Sequence, residues 1–260
     1  MGRNHTCGLT SAGAIQCWGQ ANDGRLQAPS GDDFASITAG YNHTCALRNN
    51  GAAVCWGKSA NGVTQPPAHT FSQLDCGLDF CCGVSGSGLG NGRCWGRNDQ
   101  GQAQPPADQE FIKMSTSDSF HACGLTTENS IVCWGKGEAS SSLSPIGAPA
   151  RMLFSDVSAG SYSCGVTFSG KLHCWGLSSE LPEADFTSID VSTAHACGLQ
   201  ADRQIACWGT ETYNRTDNPE GGLWQKVETS QLHSCALNYE GELSCWGYEE
   251  FGKLIVPNCP

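Results

Sequence analysis

The chain has 260 residues, a hydrophobic share of 39%, a charged share of only 15% and a formal net charge of −11. An acidic balance of this size argues against nucleic acid as a partner, because phosphate backbones call for clustered Lys and Arg, and no apolar run is long enough for a membrane span in this chain. Seventeen cysteines point to an oxidising compartment and therefore to an extracellular or secreted protein.

Taken in chain order, the sequence repeats one unit with two cysteines, the second always inside Cys-Trp-Gly. The pairs are Cys7 and Cys17, Cys45 and Cys55, Cys82 and Cys94, Cys123 and Cys133, Cys164 and Cys174, Cys197 and Cys207, and Cys235 and Cys245. Successive triplets lie 38, 39, 39, 41, 33 and 38 residues apart. A period near 40 built from strand-like units marks a propeller or an array. The repeat runs from end to end, so residues 1–260 read as a single all-β domain.

The second unit shows the local logic. Phe34 to Gly57 holds three short apolar-alternating segments separated by turn residues, each the length of a strand. Asn49-Asn50-Gly51 is a hairpin turn signal, since Asn and Gly tolerate positive φ. The two cysteines therefore face each other across a hairpin. Their separation is ten residues in six units and twelve in the third, always even. An odd change would turn one cysteine to the other face of its strand. Zinc ribbons and fingers use cysteines two to four residues apart, so the pairs read as disulfides, each worth about 2.5–3 kcal/mol by loop entropy. No metal and no cofactor is expected.

Other recurring residues read as scaffold. Every Cys-Trp-Gly tryptophan, and Trp224 in place of the phenylalanine that opens other units, is expected between blades. His5, His43, His121, His195 and His233 stand two residues before the first cysteine, with Phe80 and Tyr162 in the same slot. Rings that interchange with aromatics imply packing plus one hydrogen bond rather than a metal ring. Cys76 and Cys81 replace residues equivalent to Ala39 and Thr44 and are expected to pair locally, leaving Cys259 over. The first unit lacks the Phe-x-x-Ile-x-Ala-Gly segment, so one strand is expected to be missing at the seam, and an open strand edge is a liability.

His43-Thr-Cys45-Ala-Leu47, then Gly51-x-x-x-Cys55-Trp56-Gly57, with turns such as Asn98-Asp-Gln-Gly-Gln102, resembles the repeat of the regulator of chromosome condensation. The resemblance covers the whole chain and implies a seven-bladed β-propeller, here with intrablade disulfides. The paired cysteines are similar to the crinkly-type repeats of plant receptor ectodomains, and the architecture is similar to that of a bacterial inhibitor of β-lactamases. Nothing beyond scaffold residues carries over from the nuclear founder of the family.

Function is expected where the repeat breaks: Ser85 to Asn91, Lys136 to Arg151 and Thr210 to Gly222, with Leu143, Ile146 and Tyr213 as anchors. Asn4, Asn42 and Asn214 begin glycosylation acceptor triplets, Asn214 in a variable loop. There is no Gly-x-Ser-x-Gly and no His-Glu-x-x-His, so no catalytic residue is assigned and a non-enzyme is expected. The reading is an extracellular module with a protein or peptide ligand. A glycan-binding, lectin-like propeller is the alternative, and an enzyme or a secreted enzyme inhibitor ranks below both.

Overall fold

A computed structural model describes residues 1–116, 118–137, 144–176, 181–219 and 221–257. The repeat pattern becomes seven antiparallel sheets, one per unit. Blade 1 is β1 (His5–Leu9) and β2 (Ile15–Gly19). Blade 2 is β3 (Phe34–Ala39), β4 (His43–Arg48) and β5 (Ala53–Gly57), and blade 3 is β6 (Gln73–Cys76), β7 (Phe80–Val84) and β8 (Gly92–Gly96). Blade 4 is β9 (Phe111–Thr116), β10 (His121–Thr126) and β11 (Ile131–Gly135), and blade 5 is β12 (Phe154–Ala159), β13 (Ser163–Thr167) and β14 (Leu172–Trp175). Blade 6 is β15 (Phe186–Val191), β16 (His195–Gln200) and β17 (Ile205–Gly209), and blade 7 is β18 (Trp224–Thr229), β19 (His233–Asn238) and β20 (Leu243–Gly247). The fold is the seven-bladed β-propeller that the repeat implies. No helix among the described residues is long and apolar enough to cross a membrane.

The cysteines are in register across each hairpin: Cys7 opposes Cys17, Cys45 opposes Cys55, and Cys82 opposes Cys94 across the longer third turn. All seven such pairs are bonded, as are Cys76 and Cys81. Cys259 lies outside the described residues.

The core lies between blades. Cys45 and Leu47 of blade 2 pack against Phe71, Leu74 and Trp95 of blade 3. Cys123, Leu125 and Ile131 of blade 4 meet Phe154, Val157 and Trp175 of blade 5 in the same way. Aromatics so buried contribute the largest apolar areas. In the first strand of blades 2, 5, 6 and 7 the register shifts just after the opening aromatic. A bulge of this kind re-aims the residues beyond it. The aromatic enters the blade interface, and alternate residues further on line the central tunnel.

Tryptophan also ties six of the seven blades to the turn that precedes each, Trp208 of blade 6 making no such bond among the described residues. The indole of Trp56 donates to Arg25 O at 3.0 Å, that of Trp95 to Val63 O at 2.8 Å and that of Trp134 to Gln102 O at 2.9 Å. Trp175 uses Pro145 O and Trp246 uses Arg215 O. At the seam Trp18 donates to Lys253 O at 2.9 Å, which closes the ring from blade 7 onto blade 1.

Blade 1 has two strands among the described residues. Beside β1, between β3 and β18, lies a groove of about 260 Å³ lined by Leu9, Ile37, Leu237 and Leu243. It occupies the place that the innermost strand fills in the other six blades.

Candidate functional site

Two regions present chemistry at the surface: the central tunnel and the rim near the seam. The tunnel encloses about 420 Å³ and is walled by the innermost strands. Counted from the opening aromatic of each unit, the third position supplies Ser36, Gln73, Lys113, Asp156, Ser188 and Lys226, and the fifth supplies Thr38, Asp75, Ser115, Ser158, Asp190 and Glu228. An innermost strand has no ladder partner on its tunnel edge, and its N–H groups need acceptors. The preceding blade provides them. Asp75 accepts from the Thr116 N–H at 2.7 Å, Asp156 from the Ile189 N–H at 3.0 Å and Asp190 from the Thr229 N–H at 2.6 Å. Gln73 and Ser158 do the same for Met114 and Val191.

Burial pushes the Asp190 carboxyl up to about 6, with Glu228 adding to the rise. Burial likewise raises Asp118 to about 6. Lys113 and Asp156 form an ion pair across blades 4 and 5. Asp75, Asp156 and Asp190 thus serve the wall itself, and the tunnel reads as a structural channel.

The histidine ring has a rule that the repeat unit alone does not reveal. Each Nε2 meets the residue just before the first cysteine of the next blade. His5 reaches Thr44 Oγ1 at 2.8 Å, His121 reaches Ser163 Oγ at 2.9 Å, and His195 reaches Ser234 Oγ at 2.6 Å. Where the ring is Phe80 the next blade carries Ala122, and where it is Tyr162 the next carries Ala196, each pair packed in one core cluster. Burial holds His5 down to about 3 and His43, His121 and His195 down to about 4, so the rings are neutral at pH 7.

The rim has a different character. Tyr213 is 52% exposed and Phe251 48%, and both sit at turn tips with φ of 65°. The corresponding turns of blades 1 and 2 place Asp23 and Asn61 in that conformation. Asp and Asn tolerate the left-handed region, whereas a bulky side chain there is strained. Tyr213 packs on Tyr248 with ring centroids 4.5 Å apart, and the Lys253 ammonium stands 4.8 Å from the Tyr248 ring. Glu211, Glu249 and Glu250 belong to the same two loops.

Of the anchors expected from sequence, Tyr213 is on this exposed rim. Ile146 is not an exposed anchor: it is 9% exposed, tucked beside Pro145, whose carbonyl receives the Trp175 indole. Pro145 takes the turn position held elsewhere by Arg25, Val63, Gln102, Arg215 and Lys253, and Ile146 follows it as Leu26, Thr64 and Ala103 follow theirs. Leu143 lies outside the described residues. Asn214 is exposed at the Tyr213 turn, whereas Asn4 and Asn42 are half-buried and the threonines of their triplets, Thr6 and Thr44, are buried in the histidine links. Tyr248 and Phe251 escaped the sequence reading; for Phe251 the signal was an aromatic in the slot where the turns of blades 1 and 2 carry Asp23 and Asn61.

Comparison with known proteins agrees with the geometry. The regulator of chromosome condensation (RCC1) repeat matches residues 1–25 and 34–63. No curated protein matches the sequence. The crinkly ectodomain of the Arabidopsis thaliana receptor kinase ACR4 is similar in structure, with a TM-score of 0.78 at 25% identity over 94% of this chain and 90% of that one. The entire ectodomain of the Physcomitrella patens receptor kinase CR4 gives 0.79 at 23% identity, covering 95% of this chain and 71% of that one. Prp20p of Saccharomyces cerevisiae shares the fold, with a TM-score of 0.70 at 16% identity over 96% of this chain and 82% of that one. The chain is a seven-bladed β-propeller with paired cysteines in each blade; RCC1 repeats match its first two blades, and its structure is similar to crinkly receptor ectodomains.

Proposed function

We propose that this chain is an extracellular, non-enzymatic binding module whose ligand is a protein or peptide segment with exposed basic residues. The observation that carries this reading is the rim: Tyr213 and Phe251 are held half-exposed in a strained backbone conformation where other turns use Asp23 and Asn61. Strain kept at a turn tip points to use of that tip. Exposed tyrosines are effective anchors because a rigid amphipathic ring gives much contact for little lost entropy. The flanking glutamates and the net charge of −11 favour a cationic partner and speed its approach at low salt. Eight disulfides and the likeness to receptor ectodomains support an oxidising, extracellular setting.

A glycan ligand is the competing reading. Lectin-like propellers repeat a sugar platform in every blade, but here the tryptophans of blades 1 to 6 are buried at 9% exposure or less. The immobilised protein, probed in parallel with a glycan array and with proteins of its native extracellular milieu, separates the two. Retention of a basic protein that salt weakens supports the proposal. Retention of glycans alone overturns it.

A further inference from the structure

The junction of blades 2 and 3 departs from the histidine rule. His43 has no hydroxyl to meet, because Cys81 stands where other blades carry Thr or Ser, and its Nε2 faces the Cys81 sulfur at 3.2 Å. A disulfide sulfur is a poor acceptor. The other ring nitrogen, Nδ1, is buried with no hydrogen-bond partner among the described residues. His43 is fully buried and is the histidine of the ring whose partner is sulfur rather than oxygen.

Three sulfurs converge beside the Nε2 side of the His43 ring. Cys45 Sγ lies 3.6 Å from Cys81 Sγ, and the donor atoms of His43, Cys45, Cys76 and Cys81 all lie within 4.8 Å of one another. The donors come from β4, β6 and β7, and all four residues are buried. A tetrahedral zinc ion with Zn–S near 2.3 Å and Zn–N near 2.0–2.1 Å separates its donors by about 3.5–3.8 Å. The His43–Cys81 and Cys45–Cys81 separations are already close to that edge length. Three cysteines and one histidine form a closed structural zinc set. The donors lie in different blades, so no short Cys-x-x-Cys spacing announces them.

We propose that the blade 2–blade 3 junction is a redox-gated zinc site, with His43, Cys45, Cys76 and Cys81 as ligands. In the oxidised protein the sulfurs are held in the Cys45–Cys55 and Cys76–Cys81 bridges. A dithiol reductant delivers four electrons and four protons to the two bridges, is itself oxidised to disulfides, and leaves four thiols. Zinc then displaces the protons of Cys45, Cys76 and Cys81, which bind as thiolates, and His43 binds neutral through Nε2. Cys55 remains a thiol. Oxidation restores the two bridges and expels the ion. The junction thereby changes from two bridges, each within its own blade, to one clasp that joins the blades.

The test uses Cys55→Ser, which frees Cys45, folded with zinc in a mild dithiol that opens Cys76–Cys81. The comparison is Cys55→Ser/Cys76→Ala/Cys81→Thr, whose new residues are those of blade 2 at the same positions (Ala39 and Thr44). Chelator competition should find one tight zinc per chain in the first protein and none in the second. Cobalt in place of zinc should give thiolate charge-transfer and tetrahedral ligand-field bands in the first alone. Cys17→Ser opens the equivalent bridge of blade 1, where the neighbour is Thr44, and should bind no zinc. Equal uptake by all three variants overturns the proposal, as does a Cys45–Cys81 disulfide forming in the presence of zinc. Should Cys55→Ser not fold, reduced wild-type chain is compared with Cys76→Ala/Cys81→Thr under the same conditions, and equal uptake overturns the proposal there too.

Discussion

His233 and Thr6 are 227 residues apart in sequence, yet Nε2 of the first lies 2.8 Å from Oγ1 of the second. The Thr6 hydroxyl also donates to Lys253 O at 3.1 Å, so it accepts from the His233 Nε2–H. Ser230 Oγ lies 2.8 Å from His233 Nδ1 and 3.0 Å from the His233 carbonyl oxygen, so it braces the other side of the ring. The network fixes the proton on Nε2 and joins blade 7 to blade 1 by the same link that joins other neighbouring blades.

This link gives the first prediction. Thr6→Ala strands a buried N–H and should cost about 1–3 kcal/mol. His233→Phe with Thr6→Ala recreates the Phe80–Ala122 combination and should recover most of the loss. A double-mutant cycle by urea denaturation measures the coupling, and strictly additive losses would show that the pair does not act as a unit.

The second prediction concerns pH. Burial depresses the histidines, His5 to about 3, His43, His121 and His195 to about 4, and His233 well below the usual range, so the unfolded chain takes up their protons first. Their contribution is complete above about pH 6.5 and is lost as pH falls toward 4. Asp118 and Asp190, raised to about 6, act in the opposite sense between about 6 and 3.8. Burial also raises Asp75 and Asp79, but the five depressed histidines outnumber the four aspartates, so the urea midpoint should fall from pH 7 to pH 4.5. The variant His121→Phe/Ser163→Ala should show a shallower fall, and an unchanged slope would contradict the histidine account.

Ile146 and Tyr213 should part company on mutation. Ile146→Ala empties a packed turn and should cost about 2–3 kcal/mol without touching ligand contacts. Tyr213→Gly should leave the melting temperature unchanged or raise it, because glycine removes the Cβ that strains a residue at positive φ. Thermal melts of the two variants side by side decide the matter.

The Cys76–Cys81 bridge closes a short loop, and the positions it uses are Ala and Thr in blade 2. Cys76→Ala/Cys81→Thr should therefore lower stability by only about 2 kcal/mol in the oxidised protein. Peptide mapping should still recover the seven hairpin bridges, and their scrambling would contradict independent intrablade pairing.

Much of the fold was legible in the residues. The even spacing of Cys45 and Cys55 fixed their facing, and the longer step from Cys82 to Cys94 kept it because two residues are one strand period. Relations between successive units were not legible from one unit. Thr44, Ser163, Ser234 and Thr6 gain meaning only beside the histidine of the preceding blade, and Ala122 and Ala196 beside Phe80 and Tyr162. Ile146 misled because its turn recurs in backbone rather than in side chains: the residue before it, Pro145, matches Arg25, Val63, Gln102 and Lys253, which share no side-chain chemistry, and what recurs is a carbonyl offered to the next tryptophan. The tunnel wall was hidden for the same reason, since its carboxylates serve N–H groups of a neighbouring strand.

The most direct test of the binding account is the affinity of the captured extracellular partner for wild type and for Tyr213→Ala/Tyr248→Ala, by titration calorimetry at two salt concentrations. The account predicts at least a tenfold loss, about 1.4 kcal/mol, in the double variant, with unchanged melting and with wild-type affinity falling as salt rises. Unchanged affinity in the double variant would contradict it.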